Sequence, residues 1–134
     1  WSAKRFVGIF LHPPYHDALL SPADRESAED FQALVAWERQ QSQPTAVLVD
    51  AYPIRMWLYT KRKSVPYGDG ATPSNATLEL FRSRPCWIVQ RDGYWGETPI
   101  KKLVDAHPDK LKLRFVSPHG HLKVYEPWAA WKAR

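Results

Sequence analysis

Two sets of side chains in this sequence have types and spacing suited to chemistry. Four of its five histidines fall in pairs, His12 with His16 and His119 with His121. Imidazole and carboxylate are the usual ligands of zinc and its neighbours, and Asp17 beside the first pair and Asp50 at a strand end are candidate carboxylates. Both pairs sit in loops beside strands, so a meeting of the two loops would gather three or four ligands. An ion there with an open position activates water for hydrolysis. The second set is the stretch Arg55-Met56-Trp57-Leu58-Tyr59-Thr60-Lys61-Arg62-Lys63. Its cations neutralise phosphates, and Trp57 or Tyr59 offers a flat surface for an unpaired base.

Two short resemblances accompany these sets. Leu11-His12-Pro13-Pro14-Tyr15 resembles the catalytic motif of amino-group DNA methyltransferases, which implies a base-stacking role for Tyr15. His12 stands where that family has an acidic or amide residue, the likeness covers about five residues, and the family's glycine-rich cofactor motif is absent. His119-Gly120-His121 is similar to the paired histidines of rolling-circle nucleases, with glycine where those carry a bulky apolar residue. Phosphate-binding glycine loops, dinucleotide fingerprints, paired-cysteine zinc patterns and a nucleophile-elbow serine are all missing.

The elements that must position these groups follow from hydrophobic patterning. Residues 5–11 are short and apolar and stop at Pro13-Pro14, which predicts a buried strand. Ser21-Pro22 supplies a helix entry, and Phe31, Leu34 and Val35 recur at helical spacing, which predicts a helix over about 23–41. Residues 46–49 predict a second buried strand ending at Asp50. Residues 52–63 fit helix and strand equally, and 64–74 carry the prolines and glycines of a loop. Leu78 and Leu80 alternate with Thr77 and Glu79 as in a strand. Residues 86–90 predict another buried strand, with Arg91-Asp92-Gly93 as a hairpin-type turn. A short helix opens at Thr98-Pro99. Residues 110–116 alternate Lys110, Lys112 and Arg114 with Leu111, Leu113 and Phe115, and 122–125 continue the pattern, which predicts a hairpin with a basic outer face.

Composition bounds the rest. The 134 residues suit one globular domain, 1–134, able to bury a core without staples. Net charge is +5 and the pI about 9.4, so acidic partners are favoured. Cys86 is the only cysteine, which excludes an internal disulfide and favours a reducing, cytoplasmic setting. No apolar run is long enough to span a bilayer.

The expected fold is α+β, a mixed sheet of about five to six strands with two to three helices, βαβ-like in its first half and antiparallel in its second. The expected function is a nucleic-acid-associated binding module, for single-stranded DNA or RNA rather than duplex. Its surface would be Arg55, Trp57, Tyr59, Lys61, Arg62, Lys63, Lys110, Lys112 and Arg114, with no cofactor. The alternatives are a small hydrolase or nuclease holding a divalent metal such as zinc on His12, His16, His119 and His121, and a protein-interaction module. Whether the chain is an enzyme is open at this level.

Overall fold

The computed structural model describes residues 21–41, 46–50, 60–92 and 98–128. Helix α1 (Pro22–Gln40) starts where the Ser21 hydroxyl accepts from the Asp24 amide, with proline in the first turn. Strand β1 (Val47–Asp50) is buried throughout. Strand β2 (Ser64–Pro66) is a three-residue edge strand ending in proline, a residue that an edge tolerates. Helix α2 (Asn75–Ser83), capped by Ser74, leads to strand β3 (Cys86–Arg91). Helix α3 (Pro99–Ala106), capped by Thr98, leads to strand β4 (Leu111–Val116) and its hairpin partner β5 (Leu122–Pro127).

The strands form one sheet in the order β2-β1-β3-β5-β4. β1 pairs in parallel with both β2 and β3, whereas β5 runs antiparallel to β3 and to β4. β4 therefore points the same way as β3, and α3 is the crossover between them. β5 fills the slot that this crossover leaves open.

Each face of the sheet carries its own core. Phe31, Leu34 and Val35 of α1 pack on Leu48, Trp87, Val89, Leu122 and Val124. The intervening positions Val47, Val49, Cys86 and Ile88 pack on the other face under Phe81 of α2 and Ile100, Leu103 and Val104 of α3. The period-two alternation of β1 and β3 thus feeds two apolar layers, which is why these strands read as continuous apolar runs. Cys86 is a buried free thiol, 1 % exposed.

Several sequence expectations change. Residues 75–83 are helix, not strand: Leu78 and Phe81 share one side at i, i+3 spacing and Ser74 supplies the cap. Residues 64–66 form β2 rather than loop. Arg91 is the last residue of β3, and the expected turn at Arg91-Asp92-Gly93 runs beyond the described residues; the next described element is α3, and β3's described antiparallel partner is the distant β5. The alternation of 110–116 breaks at an irregularity between Leu113 and Phe115. Leu113 pairs with Tyr125, which packs on the α2 and α3 side. Phe115 pairs with Val124 and stacks on Trp37 of α1 at 5.3 Å. The expected strand at 5–11 lies outside the described residues.

Candidate functional site

The chain leaves β1 toward β2 and leaves β3 toward β4, in opposite directions across the sheet. In open sheets of parallel strands such a divergence leaves a crevice beyond the strands' carboxyl ends, where ligands bind. Here β1 ends at Asp50 and β3 at Arg91. The Arg91 guanidinium donates from Nε to Asp50 Oδ1 at 3.0 Å and from Nη2 to Asp50 Oδ2 at 2.7 Å. Asp50 is fully buried, so this fork is a fixed part of the floor.

A cleft of about 530 Å³ opens beside it, lined by Gln90, Arg91, Asp92, Lys101, Val104, Asp105, Lys123 and Tyr125. Its charges cancel in pairs. Arg91 holds Asp50, Lys101 holds Asp105 at 2.6 Å, and Lys123 faces Asp92 at 3.5 Å. Burial pushes the Tyr125 hydroxyl above the usual phenol range, and the Asp92 and Asp105 carboxylates push it further, so it remains a neutral donor. Gln90, 5 % exposed, donates from Nε2 to Asp92 Oδ1 at 2.9 Å. Its Oε1 is buried and has no hydrogen-bond partner among the described residues. An orphaned buried acceptor costs about 1–3 kcal/mol. Among the described residues the lining offers amide, carboxylate, ammonium, guanidinium and phenol groups for polar recognition.

The sequence-predicted basic surface divides. Arg62 is buried: its Nη2 donates to the Glu38 and Gln41 carbonyls at 2.8 and 3.1 Å, and its Nε lies 3.2 Å from the Glu38 carboxylate. It closes the carboxyl end of α1 and joins it to the approach to β2, which makes it a structural cation rather than a phosphate ligand. Glu38 is fully buried there, and burial pushes its carboxyl up to about 7 against the pull of Arg62. Lys61 and Lys63 are exposed next to β2, whereas Lys112 and Arg114 are exposed on β4. Those are opposite edges of the sheet, four strand spacings or roughly 19 Å apart, so the two clusters form separate surfaces. Lys110 immediately precedes β4. Lys112 Nζ lies 5.1 Å from the Trp128 ring centre, and Arg114 pairs with Glu126 at 3.5 Å over the Trp87 ring. Arg55, Trp57 and Tyr59 lie outside the described residues.

The histidine turn is held by α1. Asp30, fully buried, accepts from the backbone amides of His119 at 2.8 Å and His121 at 3.0 Å. His119 Nε2 meets Glu29 at 2.7 Å, and His121 Nε2 meets Glu26 at 3.2 Å. Helical spacing puts Glu26, Glu29 and Asp30 on one side of α1, and that pattern was the available signal for this docking. Among the described residues no group of three or more His, Cys, Asp or Glu side chains is arranged to hold a metal ion. His12 and His16 lie outside them. Among the described residues no helix is long and apolar enough to cross a membrane. No protein-family model, curated protein or solved structure matches the chain.

Proposed function

We propose that this domain is a binding module that takes a small polar molecule without net charge in the cleft beyond the carboxyl ends of β1 and β3. The observation that carries the reading is Gln90, whose buried Oε1 finds no donor among the described residues in a cleft where the lining charges are paired. A molecule that brings an O–H or N–H group to that oxygen gains a hydrogen bond without breaking an ion pair. A charged molecule would have to displace Lys101 from Asp105 or Lys123 from Asp92 first. Tyr125 and Val104 supply the apolar contact that such pockets use beside a few polar anchors.

The test is a resonance-perturbation screen of the isotope-labelled chain with polyols, simple amides and nucleosides against their carboxylated and aminated counterparts. The reading expects the uncharged members to shift the Gln90 side-chain amide and the Lys123 and Tyr125 signals, and Gln90→Met to abolish those shifts. Binding confined to the charged members, or shifts confined to other surfaces, would overturn it.

The nucleic-acid expectation rests on net charge and on two separate groups of cations, because Lys61 and Lys63 stand at the opposite edge from β4 and Arg62 is internal. Lys61 and Lys63, which follow Arg55, Trp57 and Tyr59 outside the described residues, would serve a strand at one edge. Lys112 and Arg114, with Trp128 as stacking surface, would serve one at the other. The β4 edge is argued next, with an oligonucleotide as one arm of its test.

A further inference from the structure

The large hydrophobic side chains exposed among the described residues all lie at one sheet edge: Leu113 at 48 %, Val116 at 46 % and Trp128 at 44 %. β4 is the terminal strand, and among the described residues no strand pairs with its outer side. The irregularity after Leu113 sorts its side chains. Leu113 and Val116 lie opposite Tyr125 and Lys123, on the α3 side of the sheet. Lys112 and Arg114 lie on the α1 side, where Glu126 offsets one of their charges.

We infer that the outer edge of β4 receives an extended segment of another protein in which acidic and apolar residues alternate. A strand added to a sheet edge places successive side chains on opposite faces. On one face they meet Lys112 and Arg114, and on the other Leu113 and Val116. A second copy of this strand is a poor occupant, because it would set Lys112 and Arg114 against like charges. A single-stranded nucleic acid would neutralise the cations but give Leu113 and Val116 nothing apolar to cover. One ring, Trp128, already has Lys112 against it. Basic residues on an edge strand ordinarily discourage strand addition. Here the same charges reject basic or identical strands and admit an acidic one, so they act as a selector.

The probe is a decapeptide alternating glutamate with valine, titrated into the isotope-labelled 134-residue chain. The comparison arms are a lysine–valine decapeptide, the glutamate–valine decapeptide methylated at alternate backbone nitrogens, and an oligothymidylate. The glutamate–valine peptide is expected to shift the amides of Leu111 to Val116 and slow their exchange with solvent. Backbone methylation abolishes the effect, an arm that needs no variant protein. Lys112→Glu with Arg114→Glu weakens binding roughly tenfold, while Lys61→Glu with Lys63→Glu leaves it unchanged. The inference is overturned by absent shifts, by equal binding of the lysine peptide, by tighter binding of oligothymidylate at these amides, or by self-association of the unliganded chain through them.

Discussion

Asp50 and Arg91 join the carboxyl ends of two neighbouring parallel strands through a two-pronged hydrogen bond, with the carboxylate fully buried and the guanidinium nearly so. Removing one member leaves the other charge enclosed. Asp50→Ala is expected to lose about 3–5 kcal/mol of stability, and Arg91→Lys to lose the fork while keeping the charge. Urea unfolding of both variants measures this. A loss at Asp50→Ala no larger than a surface substitution gives would show that the pair bears little on the strand ends.

Gln90 separates stability from binding. If its unpartnered oxygen is held for a ligand, Gln90→Met relieves the cost of an orphaned acceptor in the empty protein and removes the anchor in the bound one. Thermal unfolding is expected to be unchanged or raised for this variant, while the uncharged probes cease to bind. A variant that unfolds earlier yet still binds them would assign Gln90 a structural part only.

Glu38 imposes a pH dependence on folding. Its carboxyl stands at about 7 in the folded chain against an ordinary 4.5, because burial outweighs the attraction of Arg62. The folded state therefore keeps a proton that the unfolded state has released between those values. Stability from this group is fullest below pH 4.5 and declines as pH rises to 7, by about 3 kcal/mol. Glu38→Gln is expected to remove that slope when unfolding is followed across the same range. Arg62→Ala raises the carboxyl further and costs about 3–5 kcal/mol by stranding Glu38.

The turn at His119 titrates in the same sense, at higher pH. Its hydrogen bond to Glu29 raises the imidazole above 6.5, with the Asp30 and Glu26 charges adding to it. Its contribution is complete below the ordinary histidine value and lost as pH rises through the raised one. Ring-proton titration by NMR is expected to give a midpoint above 6.5 that Glu29→Gln lowers. Asp30→Asn keeps the shape but replaces one of two acceptors with a donor facing a backbone amide, at a cost of about 1–3 kcal/mol.

Much of the scaffold is legible in the chain. β1, β3 and α1 stand within a residue or two of where apolar runs and the Ser21-Pro22 cap place them, because burial on both faces or along one stripe is written locally. Leu78 and Leu80 mislead because two leucines at i, i+2 look like a strand until Phe81 completes a helical pair. Phe115 misleads because an irregularity in pairing transfers it to the other face, and nothing between Leu113 and Phe115 announces that. The cleft depends on which strands become neighbours. The same is true of Arg62, which reads as one of three consecutive surface cations until the fold carries α1's end to it. The paired histidines were visible as a feature, but their partners Glu26, Glu29 and Asp30 lie about ninety residues away.

The strand at the sheet's interior between β3 and β4 is the last of the described strands in the chain. Until β5 is synthesised and seated, the flank of β3 along Ile88 and Val89 has no neighbour among the described strands, and β4 has no described strand to join. Closure of the sheet is therefore a late, long-range event, with the high loop-closure entropy that slows folding. A nascent or truncated chain ending before Leu122 would present that apolar flank as a template for other strands. Among the described segments, the burden of preventing aggregation falls on the completion of one hairpin.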